Sequence, residues 1–169
     1  MSIAPLLDRW RLAALIAAAA MLAIAHAFQT FGGLAPCELC LKQRDLYWVA
    51  GALALGGMVV VRTPGGGRLR QFSCWILGIA FLCETALAAY HAGVEWKFWP
   101  GPQSCTAGAT HVSVADLKAL LNSATAHVPM CDKPAWVFLG VSMAGWNAVA
   151  ALILTLLSIA AALRERDRR

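Results

Sequence analysis

Charge is absent from long stretches of this chain, and that absence limits what it can fold into. No charged residue occurs from Leu12 to Pro36, and none from Pro134 to Leu163. Two further apolar runs, at about 41–61 and 71–91, carry few charges. A bilayer crossing takes about 20 apolar residues, and a helix lets such a run satisfy its own backbone. Overall 60% of residues are hydrophobic and 14% charged, against roughly 25% charged in a soluble domain. So little charge cannot cover a water-facing surface. The chain reads as an all-α integral membrane protein, one domain with spans at about 12–31, 41–61, 71–91 and 142–163. Antiparallel spans with short links suggest a four-helix transmembrane bundle. A cleaved leader competes for the first run, because Ala25-His26-Ala27 resembles a cleavage site. That run stays uncharged to Pro36, which suits a span better than a leader core.

The N-terminus, the 62–70 turn and the 164–169 tail hold nine of the fourteen Lys and Arg residues. Basic residues mark the cytoplasmic side, so both termini are expected there. The loops 32–40 and 92–141 then lie on the opposite, outer side. Arginine clusters beside apolar runs indicate contact with membrane lipid rather than nucleic acid. Within the second loop, Ser113-Val-Ala-Asp116 looks like a capping box. It would open a short interfacial helix carrying Val114, Leu117, Leu120 and Leu121 on one face. Trp96, Phe98, Trp99, Trp136 and Trp146 suit an aromatic belt at the membrane boundary.

Four of the six cysteines, Cys37, Cys40, Cys105 and Cys131, fall on the outer side, where disulfides persist. They allow three pairings. Proximity favours Cys37–Cys40 within Pro36-Cys-Glu-Leu-Cys40, which leaves Cys105–Cys131. Such bridges can be staples or a redox relay. A C-x-x-C ring closes too little chain to stabilise much, so exchange between the pairs explains the arrangement better. Arg44, one turn beyond Cys40, favours a thiolate. A metal site would gain nothing from that cation, and no metal is expected, although His111 and His127 leave a loop zinc site conceivable. Cys40 is followed by Leu41, not by the His of a haem motif, and no G-x-G-x-x-G occurs. The apolar setting points to a lipid-soluble electron acceptor.

Pro36-Cys-Glu-Leu-Cys-Leu-Lys-Gln-Arg44, Tyr90-His-Ala-Gly-Val-Glu-Trp96, Trp99-Pro-Gly-Pro-Gln-Ser-Cys105 and Met130-Cys-Asp132 closely resemble the DsbB family. The resemblance spans nearly the whole chain. It implies a bacterial inner-membrane protein dithiol:quinone oxidoreductase, with those two outer loops in the periplasm. Its electron source would be a periplasmic thioredoxin-like oxidase of the DsbA type, its acceptor ubiquinone or menaquinone. By position, Cys105 would form the mixed disulfide with the partner, Cys131 would exchange with Cys37, and Cys40 would face the quinone beside Arg44. His91 and Gln29 are further candidates at the quinone level; for His26, packing is favoured. Glu84, within the third span, reads equally as a functional group or as the partner of a polar group on a neighbouring helix. Cys74 and Cys83 read as small apolar residues.

Overall fold

The structure is a computed structural model that describes residues 3–62, 67–102 and 130–167. Cys105, His111, His127 and the helix expected over 113–122 lie outside the described residues. A short α1 (Ala4–Asp8) leads into α2 (Trp10–Thr30), followed by α3 (Glu38–Val60) and α4 (Gly67–Glu95). A two-stranded hairpin, β1 (Val137–Phe138) and β2 (Val141–Ser142), then delivers the chain into α5 (Met143–Asp167). Among the described residues, α2, α4 and α5 are long and apolar enough to cross a membrane. The protein is therefore a helical membrane protein. The helix α3 is equally long, but Glu38, Lys42, Arg44 and Asp45 charge its first two turns.

The hairpin corrects the all-helical expectation. Leu139 and Gly140 have φ of 51° and 77°, the positive pair that a tight two-residue hairpin turn demands. It pairs Phe138 with Val141 and Val137 with Ser142. Helix ends also pass the expected limits. The last helix runs on through Arg164, Glu165 and Arg166, whose charges all find partners: Arg164 Nε meets Asp8 Oδ1 at 2.7 Å, Glu165 Oε1 meets Arg11 Nη2 at 3.3 Å and Arg166 Nε meets Asp167 Oδ1 at 3.2 Å. Helix α4 continues to Glu95 and closes with Lys97 N–H donating to Val94 O and Phe98 N–H to Gly93 O. That is a Schellman closure, with Lys97 at φ 62° where glycine is usual.

Lipid chains are as apolar as leucine, so helices in a bilayer associate through close packing of small residues. The buried faces obey this. Helix α2 turns Trp10, Ala14, Ala18 and Leu22 inward at four-residue intervals, and α3 buries Ala50, Ala54 and Gly57. Helix α4 packs most extensively on α5. A Cβ at Gly78 would stand 3.4 Å from the Ser158 Cβ, and one at Gly57 3.2 Å from the Ser73 Cβ. The end of the bundle near the termini is tied by Trp10 Nε1 donating to Ser158 Oγ at 3.0 Å. Cys74 is buried there within reach of Arg11 Nη1, while Cys83 is exposed on the outside of α4.

Candidate active site

At the other end of the bundle, Pro36 and an extended Cys37 (φ −78°, ψ 172°) turn the chain into α3. Cys37 is the helix cap. Its Sγ accepts from the Cys40 backbone N–H at 3.2 Å, so the C-x-x-C spacing is the spacing of a cap to the third helical residue. The two Sγ atoms lie 2.6 Å apart. A disulfide spans about 2.05 Å, so ring closure needs only about half an ångström. Two thiolates on one tetrahedral zinc would stand about 3.8 Å apart. Cys37, Cys40 and His91 do offer ligand atoms within 4.8 Å of one another, but the sulfur spacing suits a redox pair better.

Two groups flank the pair. On the α4 side, His91 Nε2 lies 3.6 Å from Cys37 Sγ and 3.8 Å from Glu95 Oε1. On the α2 side, Arg44 Nη1 donates to Gln29 Oε1 at 2.6 Å and Nη2 to the Ala25 carbonyl at 3.0 Å. The structure thus brings Arg44 together with Gln29 and places His91 apart from them, against Cys37. His26 is exposed rather than packed. Cys131 is disulfide-bonded and 1% exposed, in one apolar cluster with Cys37 and Leu39 against which Cys40 and Leu87 pack. Next to it, Lys97 Nζ holds both the Asp132 carbonyl at 2.8 Å and its Oδ2 at 2.6 Å. This contact keeps the Asp132 carboxyl below the usual carboxylate range.

The description "Disulfide bond formation protein DsbB" matches residues 8–161. The chain belongs to the DsbB family. It is similar to "Disulfide bond formation protein B" of Methylococcus capsulatus, 31% identical over 83% of this chain and 85% of the relative. The same description is carried by proteins of Albidiferax ferrireducens, 29% identical over 91% of this chain and 86% of the relative, and of Acinetobacter baumannii, 26% identical over 75% and 74%. No solved structure gives a significant match. This DsbB-family chain is thus a membrane protein of disulfide bond formation.

Beneath the cysteines lies a polar network that the sequence reading overlooked. His91 Nδ1 accepts from Gln43 Nε2 at 2.9 Å, and Gln43 Oε1 accepts from Asn147 Nδ2 at 2.6 Å. The same Asn147 Nδ2 donates to Glu84 Oε1 at 2.6 Å, and Asn147 Oδ1 accepts from the Tyr47 hydroxyl at 2.6 Å. Glu84 therefore does pair with a neighbouring helix, as one of its two readings held. Gln43 follows Cys40 by three residues and precedes Tyr47 by four, which sets all three on one face of α3. That spacing, and a lone amide in the uncharged run of α5, were the available signals.

Proposed function

We propose that this DsbB-family protein is a dithiol:quinone oxidoreductase of the bacterial inner membrane. It reoxidises a periplasmic thioredoxin-like oxidase of the DsbA type and passes the electrons to ubiquinone or menaquinone. In this reading all four long helices span the bilayer, both termini are cytoplasmic, and the four outer cysteines face the periplasm.

The observation that carries the reading is the burial of Cys131 in one cluster with Cys37 and Cys40. It gives a contact route between the two proposed pairs, Cys105–Cys131 and Cys37–Cys40. A thiolate of the partner would attack Cys105, and the Cys105–Cys131 bond would break with its electron pair leaving on Cys131. Cys131 would then bond to Cys37 as the Cys37–Cys40 bond breaks, and that pair would leave on Cys40. Exchange of this kind needs an in-line approach of sulfur on sulfur, which the shared cluster favours.

The donor set beside Cys40 fits a quinone. A guanidinium has five N–H donors, and the bonds to Gln29 and Ala25 leave donors for a ring oxygen gaining negative charge. Arg44 and Gln29 would hold the quinone, which supplies a two-electron, two-proton acceptor. Arg44 would orient that oxygen and stabilise its charge. The test is anaerobic reduction of quinone by the purified full chain with a reduced thioredoxin-like partner. One quinone reduced for each partner dithiol oxidised is the expected result. No quinone reduction, with stoichiometric zinc on the protein, would overturn the proposal.

A further inference from the structure

The network under the cysteines has a direction. Asn147 donates through Nδ2 to Gln43 and Glu84, and accepts at Oδ1 from Tyr47. Its amide is thus oriented by three partners on two other helices. Gln43 takes the Asn147 N–H on its oxygen, which leaves its own N–H₂ facing His91 Nδ1. A nitrogen that accepts cannot carry the ring proton in neutral imidazole. The proton then sits on Nε2, the atom facing Cys37 Sγ. Glu84 is 1% exposed, with Oε2 unpartnered among the described residues, about 10 Å of helix from His91 at 1.5 Å per residue. An unsatisfied buried carboxyl is costly in this setting. Nothing in the exchange steps above uses it.

We propose that Glu84, Asn147 and Gln43 are positioning residues that hold neutral His91 as its Nε2–H tautomer, so that His91 donates a hydrogen bond to the Cys37 sulfur whenever that sulfur carries negative charge. The proposal rests on Cys37 being the exchange cysteine. The partner's second thiolate takes over the partner's sulfur and releases Cys105 as a thiolate. Cys105 then attacks Cys131, the Cys37–Cys131 bond breaks and its electron pair leaves on Cys37. No proton has to arrive, but the charge appears where Cys37 is only 5% exposed. The Cys40 backbone N–H already donates to this sulfur at 3.2 Å, and a buried thiolate gains from a second donor. The other polar groups at Nε2 are Glu95 Oε1 and the backbone of Cys131. Both are acceptors that compete with Cys37 for the one ring proton. Beside the Cys40 backbone N–H, the His91 Nε2–H is the side-chain donor facing the Cys37 sulfur among the described residues.

The reduced full-length protein in detergent, with ¹⁵N-labelled histidine, tests this. Its imidazole nitrogen shifts report the tautomer, and the His91 signal is assigned by its loss in His91→Gln. Alkylation of Cys37 at neutral pH, followed on its own peptide, reports the thiolate. The native chain is expected in the Nε2–H form. An ionised carboxylate can only accept, so Asn147→Asp at a pH where its carboxyl has ionised should turn the Gln43 amide over and bring up the Nδ1–H form. Asn147→Leu should release the direction and mix the two. In both, Cys37 alkylation should slow roughly tenfold, the effect of losing one charge-assisted hydrogen bond. Tyr47→Phe removes a contact without reversing the amide and should leave the tautomer unchanged, which a merely loosened bundle would not do. A native Nδ1–H tautomer overturns the proposal, as does an Nε2–H form that persists in Asn147→Asp after its carboxyl has ionised. So does a Cys37 rate that stays within roughly twofold while the tautomer switches. Neither readout needs quinone or partner, so failure here is distinct from failure of the proposed reaction. Should Asn147→Leu not fold, the native tautomer and Asn147→Asp still decide.

Discussion

Arg44 is the residue whose surroundings depart most from a simple cysteine-and-cation picture. Its guanidinium is fastened to α2 through Gln29 and the Ala25 carbonyl, so its position is set by two helices rather than by one turn of α3. A lysine cannot reproduce a planar fork with two such bonds. Arg44→Ala is expected to slow quinone reduction or raise its KM by roughly 30- to 150-fold, as for a lost charge-assisted contact of about 2–3 kcal/mol. Capture of the partner on Cys105 should be intact in the same variant, as gel analysis of a Cys131→Ala background would show. Asp132 carries a pH dependence of its own. Lys97 holds its carboxyl below the usual range. A depressed carboxylate contributes stability that is present above the unfolded value of about 3.9 and lost as pH falls through the lower folded value. The tie beside Cys131 should therefore hold through neutral and weakly acid solution and release only below about pH 4. Proteolysis of the segment around Met130 against pH should show that onset, and Lys97→Met should abolish it.

At the scale of elements, the end of α4 depends on a missing side chain. The Trp99 ring lies directly over Gly93, where a methyl group would run into it. The ring is held by Nε1 donating to the Tyr90 carbonyl at 2.9 Å and by stacking on Tyr90, with centroids 6.0 Å apart. Gly93→Ala should unseat Trp99 and cost about 1–3 kcal/mol, as overpacking does, read as a shift in tryptophan emission and a lower melting temperature. Much at this scale was legible in the sequence. The long apolar helices and the C-x-x-C at the head of α3 follow from hydropathy and spacing. Aromatic rings near that end meet in pairs, Trp96 with Phe98, Phe28 with Trp136, and Phe138 with Trp146. The hairpin before α5 was not legible, because its turn uses Leu139 with a positive φ where Asn or Gly would have announced it. Gln43 and Asn147 were missed for a different reason. Which polar side chains meet is decided by how α3, α4 and α5 rotate against each other, and hydropathy does not record rotation.

For the molecule as a whole, the two ends of the bundle are built differently. The end bearing the termini is laced by ion pairs between helices far apart in sequence, Arg11 with Glu165 and Arg164 with Asp8. The opposite end carries the cysteines, the amide network and the rings. Proposed topology puts the ion-paired end in the cytoplasm. Reporter fusions at position 66 and at the C-terminus should then be active only with a cytoplasmic reporter. A periplasmic signal at either position would remove the oxidising setting that the cysteine chemistry requires.

In the proposed exchange Cys37 is a reacting sulfur, and it is also the cap of α3. A thiolate accepts a hydrogen bond far better than a disulfide sulfur does, so each turnover strengthens and weakens the first turn of the helix. Linkage makes the effect mutual. If capping gains about 1 kcal/mol on reduction, the C-x-x-C couple becomes roughly 20 mV more oxidising. The helix would then act as a spring loaded by electrons. Its tension would be visible as slower deuterium uptake at the Cys40 and Leu41 amides in the reduced protein than in the oxidised one. Equal uptake in the two states would show that the cap and the couple are independent.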